Sequence, residues 1–350
     1  METKPLDRFW SALESLPGLA AVSMQWEALL GPEHALVGNF LQPRKELASS
    51  YPCPDPKHPG TLHTVVVHGP DDYVGICPDG CAPTKLSKSD ITVYEVNRTR
   101  LSKAVATMLG VTFAETEVEG VPRTTRIGTY SPYAGFRFPV YLTMQVDGAD
   151  FHGAVAGLVA LNGDPFILVA PTREFCTPSC ESLLATRKAV FLPLCETAAA
   201  GADGELAAVR PTEEILAGFH KAVLPDTTDD SAMSFFPTPP QAHWEDVRIS
   251  FTDNHTVSIK VLSAQGVYHY AQMGMVNKKN GTPTVQWELL RAFSEGHGRL
   301  DWSSRRADRR NQKRRENLAK DLQEFFRIDG DPFQQEGNGW RARFAFGPDA

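Results

Sequence analysis

The sequence predicts a multidomain α+β protein built around a central βαβαβ segment. Three observations carry this. Between residues 136 and 224, short apolar runs alternate with helix-length stretches, as in parallel strands joined by helices. Between 243 and 278, apolar and polar side chains alternate in three runs separated by turns, the pattern of an antiparallel meander. A Cys-, His-, Pro- and Gly-rich stretch at 51–82 interrupts a composition of 42% hydrophobic and 22% charged residues that is otherwise ordinary for a globular protein.

The elements follow in order. Residues 5–50 read as helical: Phe9, Trp10, Leu13 and Leu16 recur at helical spacing, and a second apolar stretch ends at Gly31-Pro32. Thr64–Val67 and Tyr73–Ile76 read as two strands joined at Gly69-Pro70-Asp71-Asp72. A helix carrying Leu101, Val105 and Met108 closes at Gly110. Pro139–Met144, Phe166–Ala170 and Val190–Leu194 are the three strands of the α/β segment, with helices over Phe151–Leu161 and Ser179–Lys188 between them. This divides the chain into a helical and Cys/His-rich module at 1–125, an α/β domain at 126–224, a Pro-containing polar linker at 225–242 and a C-terminal domain at 243–350.

The C-terminal domain holds the sharpest charge anomaly. The 350-residue chain carries −7, yet seven of the eleven residues from 305 to 315 are basic and one is acidic. Residues 299–327 hold ten basic and five acidic side chains, a net of +5 that leaves −12 on the remainder. A generic DNA-coating protein would be basic throughout; an acidic body with one nucleic-acid-reading end fits better. The basic run precedes an apolar stripe at Leu318, Leu322, Phe325 and Phe326, and a further stripe at Val285, Leu289, Ala292 and Phe293 lies upstream. Trp340, Ala342, Phe344 and Phe346 then share one strand face, opposite Arg341 and Arg343, after the tight-turn chemistry of Gly337-Asn338-Gly339.

Helix, basic connector, helix and hairpin, over about residues 284–347, resemble the winged-helix class of DNA-binding domains. The resemblance lies in the order of elements. It implies that the helix near 312–327 enters the major groove with the hairpin as a wing near the backbone. Arg305, Arg306, Arg309, Arg310, Lys313, Arg314, Lys320, Arg341 and Arg343 are then the expected phosphate contacts, with Asn317 and Gln323 able to read base edges.

The second constellation is Cys53, His58, His63, His68, Cys77 and Cys81 within 29 residues. Zinc takes four thiolate or imidazole ligands, and turns rich in Pro and Gly let cysteines three or four apart aim at one ion. Two such turns joined by a hairpin resemble a zinc ribbon. Cys77 and Cys81 are the firmer pair and Cys53 a third ligand, with His63 or His58 as the fourth. The expected cofactor is a structural zinc ion. The Cys-x3-Cys spacing is looser than the usual two-residue knuckle.

Catalysis finds little support. No Gly-rich phosphate loop follows a strand, and neither Gly-x-Ser-x-Gly nor His-Glu-x-x-His occurs. The carboxyl ends of the α/β strands offer Asp147, Arg173 and Glu196 for a ligand-sensing or hydrolase-like role. Six cysteines are too few for a disulfide scaffold, and no signal-like or membrane-length apolar run occurs. The expectation is a cytoplasmic DNA-binding regulator or accessory protein, with double-stranded DNA as partner. The alternative is an adaptor in which the winged helix is architectural and the partner is a protein.

Overall fold

A computed structural model describes residues 4–16, 18–58, 60–201, 204–224, 234–277, 279–301 and 311–347. The chain is a mixed α+β protein that divides into two compact units: Met1–Tyr130 with Phe138–Ala222, and Ser131–Arg137 with Val223–Ala350.

The first unit opens with helix α1 (Asp7–Ser15), which buries Phe9, Trp10 and Leu13. Its free N-terminal amides are taken up at a distance in sequence: Arg8 and Phe9 N–H donate to the Glu33 carboxylate. The region read as helical throughout also contains strands. β1 (Ala20–Val22), α2 (Ser23–Leu30), the one-turn α3 (His34–Val37) and β2 (Leu41–Leu47) follow. β1 and β2 flank the later β7 (Thr92–Val96) in a three-stranded sheet. Long-range pairing with β7 decides these strands, so local periodicity could not reveal them.

Between β2 and β7, strands β3 (Ser50–Pro52), β4 (Leu62–Gly69), β5 (Asp72–Ile76) and β6 (Thr84–Leu86) form an antiparallel sheet in sequence order. Its buried core is small: Val22, Tyr51, Tyr73, Leu86 and Ile91.

After α4 (Arg98–Met108), strands β8 (Thr112–Glu117), β9 (Thr124–Tyr130) and β10 (Phe138–Thr143) run antiparallel. Helix α5 (Gly148–Leu161), β11 (Ile167–Ala170), α6 (Pro178–Ala185) and β12 (Val190–Pro193) complete the βαβαβ pattern, with β10, β11 and β12 parallel. Every residue of β11 is buried, as a strand covered on both faces requires. The sheet order β12-β11-β10-β9-β8 joins residues on either side of 125 in one unit. Short elements α7 (Leu194–Thr197), β13 (Ala198–Ala200), β14 (Leu206–Ala208), α8 (Thr212–Ile215) and α9 (Ala217–Val223) follow.

Gly128 is where this sheet has least freedom. Its φ is +152°, and a Cβ there would lie 2.2 Å from the Thr112 carbonyl oxygen. The β9 registers with both neighbours shift around Ile127, so the strand makes a bulge that only a residue without a side chain can turn. Gly128→Ala should destabilise this unit by about 3 kcal/mol. An unchanged urea midpoint would show that the strand can move aside.

The second unit begins its ordered core inside the expected linker. Residues 225–233 lie outside the described residues, but Phe235, Phe236 and Thr238 are buried. They pack rather than span solvent because Phe236 N–H donates to the Phe325 carbonyl and its ring meets Tyr268, Phe325 and Phe326. The meander is β15 (Val247–Phe251), β16 (Thr256–Val261) and β17 (Ala264–His269). Helix α10 (Val285–Glu295), β18 (Arg299–Asp301), α11 (Asn311–Phe326), β19 (Phe333–Glu336), β20 (Gly339–Ala342) and β21 (Ala345–Phe346) follow. β21 joins the meander beside β15, while β18, β20 and β19 form a separate antiparallel sheet in that order. One core unites them: Trp244, Ile249, Trp287, Phe293, Leu318, Leu322, Phe325, Phe333 and Phe344 are all buried in it.

Candidate functional site

The strongest constellation sits at one end of the β3–β6 sheet. Cys53 follows β3 directly, and its N–H donates to the Thr61 carbonyl, closing a loop over His58. On the other side Cys77 follows β5, and the chain turns through Gly80 (φ +81°) to Cys81. Thr61 Oγ1 donates to Asp79 at 2.7 Å, tying the two turns together. The ligand atoms of Cys53, His58, Cys77 and Cys81 all lie within 4.8 Å of one another. Cys53 and Cys81 Sγ are 3.8 Å apart, and Cys81 Sγ lies 3.2 Å from His58 Nδ1. This cluster can hold a metal ion.

His63 does not belong to it. The structure makes His58 the fourth group, because His58 lies in the turn between the strands, whereas His63 lies within β4. There the His63 ring is fully buried, opposite Tyr51 and against the space left by Gly75, and neither ring nitrogen has a partner.

The thiols are electrostatically unequal. Burial opposes ionisation of Cys77, but hydrogen bonds from the Cys81 amide and the His58 ring bring its thiol down to about 6. Sharing a proton with Cys77, then burial, pushes Cys81 up to about 12. One thiolate is therefore ready near neutral pH, and an incoming cation must displace the remaining thiol protons.

The basic helix is the second candidate. Arg305, Arg306, Arg309 and Arg310 lie outside the described residues. On α11, Lys313 and Lys320 are exposed and Arg314 and Asn317 half-buried. Lys313 pairs with Glu316 at 3.2 Å. Arg314 lines an open groove of about 530 Å³ along α10 with Glu288 and Glu295. Gln323 is already engaged: its amide donates to the Gly330 carbonyl at 2.8 Å. Arg327 lies over the Phe136 ring at 4.2 Å, away from any groove-reading role.

Arg315 was invisible as an anchor in the basic run. It is buried, pairs with Asp331, and stacks 4.3 Å over Trp340, so it ties α11 to β20. A buried arginine has no sequence mark among six other basic residues.

Arg341 and Arg343 fall on a different surface from α11. Trp340, Ala342 and Phe333 turn toward the core shared with both helices, so alternation sends Arg341 to the other side of the sheet, and Arg343 is exposed in the bend after β20. Arg341 pairs with Glu336 at 3.4 Å and Arg343 with Glu245 at 2.7 Å. The expected helix and wing cations therefore lie on separate surfaces of this unit.

Asp321 adds a titrating group to α11. Burial, then repulsion from Glu324, pushes its carboxyl up from 3.8 to about 6. The sign follows from the raised folded value. The stabilisation from binding this proton is complete below 3.8 and is lost as pH rises through about 6. Asp321→Asn should therefore stabilise the unit at pH 7.5 by about 1 kcal/mol, after screening of a half-exposed group, and have little effect at pH 4. Thermal melts at the two pH values test this; an equal shift at both would remove Asp321 as the cause.

At the carboxyl ends of the parallel strands, the side chains are occupied structurally. Asp147 caps α5 by accepting from Asp150 N–H, and Arg173 pairs with Glu181 and Glu196, each at 3.2 Å. Burial and repulsion from Cys180 push the Cys176 thiol up to about 11, the reverse of an activated nucleophile. The Glu14 carboxylate, buried and distant in sequence, accepts from Thr172 N–H and Oγ1. No helix among the described residues is long and apolar enough to cross a membrane. No family model, curated protein or solved structure matches this chain.

Proposed function

We propose that this chain is a DNA-binding regulator or accessory protein. Its second unit acts as a winged helix that contacts duplex phosphates through the start of α11, and its first unit carries a structural zinc ion. The observation that supports DNA contact is the order α10, β18, α11, β19, β20. The three strands pair as β18-β20-β19, with Lys313 and Lys320 exposed on α11. The charge distribution agrees with it. The first unit holds 17 basic and 25 acidic residues, a net of −8; the second holds 18 and 17, a net of +1. The first unit is therefore acidic, and the unit that carries the helix is near neutral, with 18 of the chain's 35 cations in 135 of its 350 residues.

Zinc fits the cluster by size and chemistry. Tetrahedral zinc with Zn–S bonds of about 2.3 Å has sulfur–sulfur edges of about 3.8 Å. The Cys53 and Cys81 sulfurs are 3.8 Å apart. Three thiols and an imidazole form a closed structural donor set, held by Cys53, His58, Cys77 and Cys81.

A salt titration of duplex binding tests the DNA reading. With about four phosphates neutralised, affinity should fall roughly 100-fold between 50 and 200 mM salt. Lys313→Ala with Lys320→Ala should flatten the log–log slope by about 1.8. Duplex binding that is absent, or indifferent to salt, rules out this function.

A further inference from the structure

The face of the second unit turned away from its core carries a row of cations that α11 does not share. On the meander, Arg248 and Lys260 are exposed cross-strand partners, and neither has an ion-pair partner among the described residues. Arg248 lies beside Ala345 of β21. From Ala345 back to Arg341 the residues alternate exposed and buried through the bend at 343–344, and Arg341, Arg343 and Ala345 line one open cavity. Arg341 lies opposite Arg299 of β18. The row Lys260, Arg248, Arg343, Arg341, Arg299 thus steps across two sheets. Lys260 and Arg248 are cross-strand partners about 5 Å apart, as are Arg341 and Arg299, and Arg343 lies in the bend between β20 and β21.

The core residues of the same strands define the other side. Ile249, Ile259, Ala342 and Phe344 are buried with α10 and α11, so the row faces away from both helices. Small side chains keep the middle of the row open: Ala345 is exposed, and a Cβ at Gly347 would collide with Ser250. Beside them lies an open cavity of about 530 Å³, lined in part by His297, Gln334, Arg341 and Arg343.

We propose that this sheet face is a second nucleic-acid backbone site, separate from the α11 surface. Its occupant is a phosphate backbone because five exposed cations, four of them in two cross-strand pairs, match a repeating anion. Among the described side chains, three carboxylates lie beside them: Glu245, Asp246 and Glu336. Glu336 clips Arg299 and Arg341, and Glu245 clips Arg343. These are exposed pairs, which contribute little and exchange readily for another anion. Arginine also offers phosphate a two-pronged contact that a row of lysines does not. With both faces occupied, one copy of the unit holds two segments of nucleic acid.

The test uses the full-length chain with a 20-base-pair duplex and a 20-nucleotide single strand, each followed by anisotropy across a salt series. The variant Arg248→Ala with Lys260→Ala leaves the Arg–Glu pairs intact. It should weaken one probe about tenfold or more. The slope should flatten by about 1.8 if the occupant is a duplex and about 1.4 if it is single-stranded. Lys313→Ala with Lys320→Ala should leave that component unchanged. An affinity and slope indifferent to the Arg248 and Lys260 changes overturn the proposal. So does equal competition by polyglutamate at matched ionic strength, which would assign the face to an acidic protein segment. Loss of duplex binding in the Lys313 variant alone would leave the α11 reading standing and remove this one. The converse result would do the reverse.

Discussion

Cys77→Ser should abolish zinc binding, taking the metal content of the purified protein from one ion per chain to near zero. Cys77 is the buried member of the cluster and its thiol is lowered to about 6, so its loss removes one of four clustered donors. The structural consequence should be large. The β3–β6 sheet buries few apolar side chains, too few to hold four short strands without a staple. Structural zinc contributes an apparent binding energy of roughly 10–16 kcal/mol in finger-sized modules at pH 7. Proteolysis within 54–80 should therefore accelerate in the variant and in chelator-treated protein alike. His58→Ala should also deplete the metal, whereas His63→Ala should keep one zinc per chain. Retention of zinc by the Cys77 variant would mean that the ion sits elsewhere; depletion by His63→Ala would return that residue to the ligand set.

The largest effect in the second unit should come from Phe325→Ala, at about 3–5 kcal/mol. Phe325 is fully buried, with ring centroids of Tyr268 and Phe326 at 5.1 Å and of Phe236 at 6.3 Å. Its carbonyl accepts the Phe236 amide, so the cavity would open where α11 meets the segment leading into the meander. Phe325→Leu should lose less, about 1.5 kcal/mol, because most of the volume remains. Urea denaturation followed by tryptophan fluorescence, which Trp244 and Trp287 in this core report, separates the two. If alanine and leucine have the same midpoint, α11 is not held through this ring. Duplex affinity should fall with the alanine variant, since a loosened α11 no longer presents Lys313 and Lys320 together.

Much of the architecture could be read from residues 136–223, because buried parallel strands and their helices leave local marks in both length and composition. The apolar stripe of α11 was equally plain. Strands β1 and β2 were not, because their partner β7 lies far along the chain. The metal cluster was legible as a composition, but the choice between His58 and His63 depended on which imidazole sat in a turn and which inside a paired strand. Arg341 and Arg343 were read onto one strand face, but a bend at 343–344 divides that strand into β20 and β21 and leaves Arg343 between them. What sequence could not supply was the side of the sheet on which α11 packs, which separates their surface from that of the helix.

The second unit is not a continuous piece of chain. Ser131–Arg137, the loop between β9 and β10, belongs to it. The Phe136 ring lies under Arg327 and beside Phe235, and Ala134 N–H donates to the Thr238 carbonyl. During synthesis this loop emerges long before the residues it packs against, and it must wait for them while the sheet around it closes. A fragment begun at residue 223 leaves that plug behind, with Phe235 and Arg327 uncovered. Whole-chain expression, or a fragment supplied with a 131–137 peptide, is therefore the sound basis for testing either proposed surface.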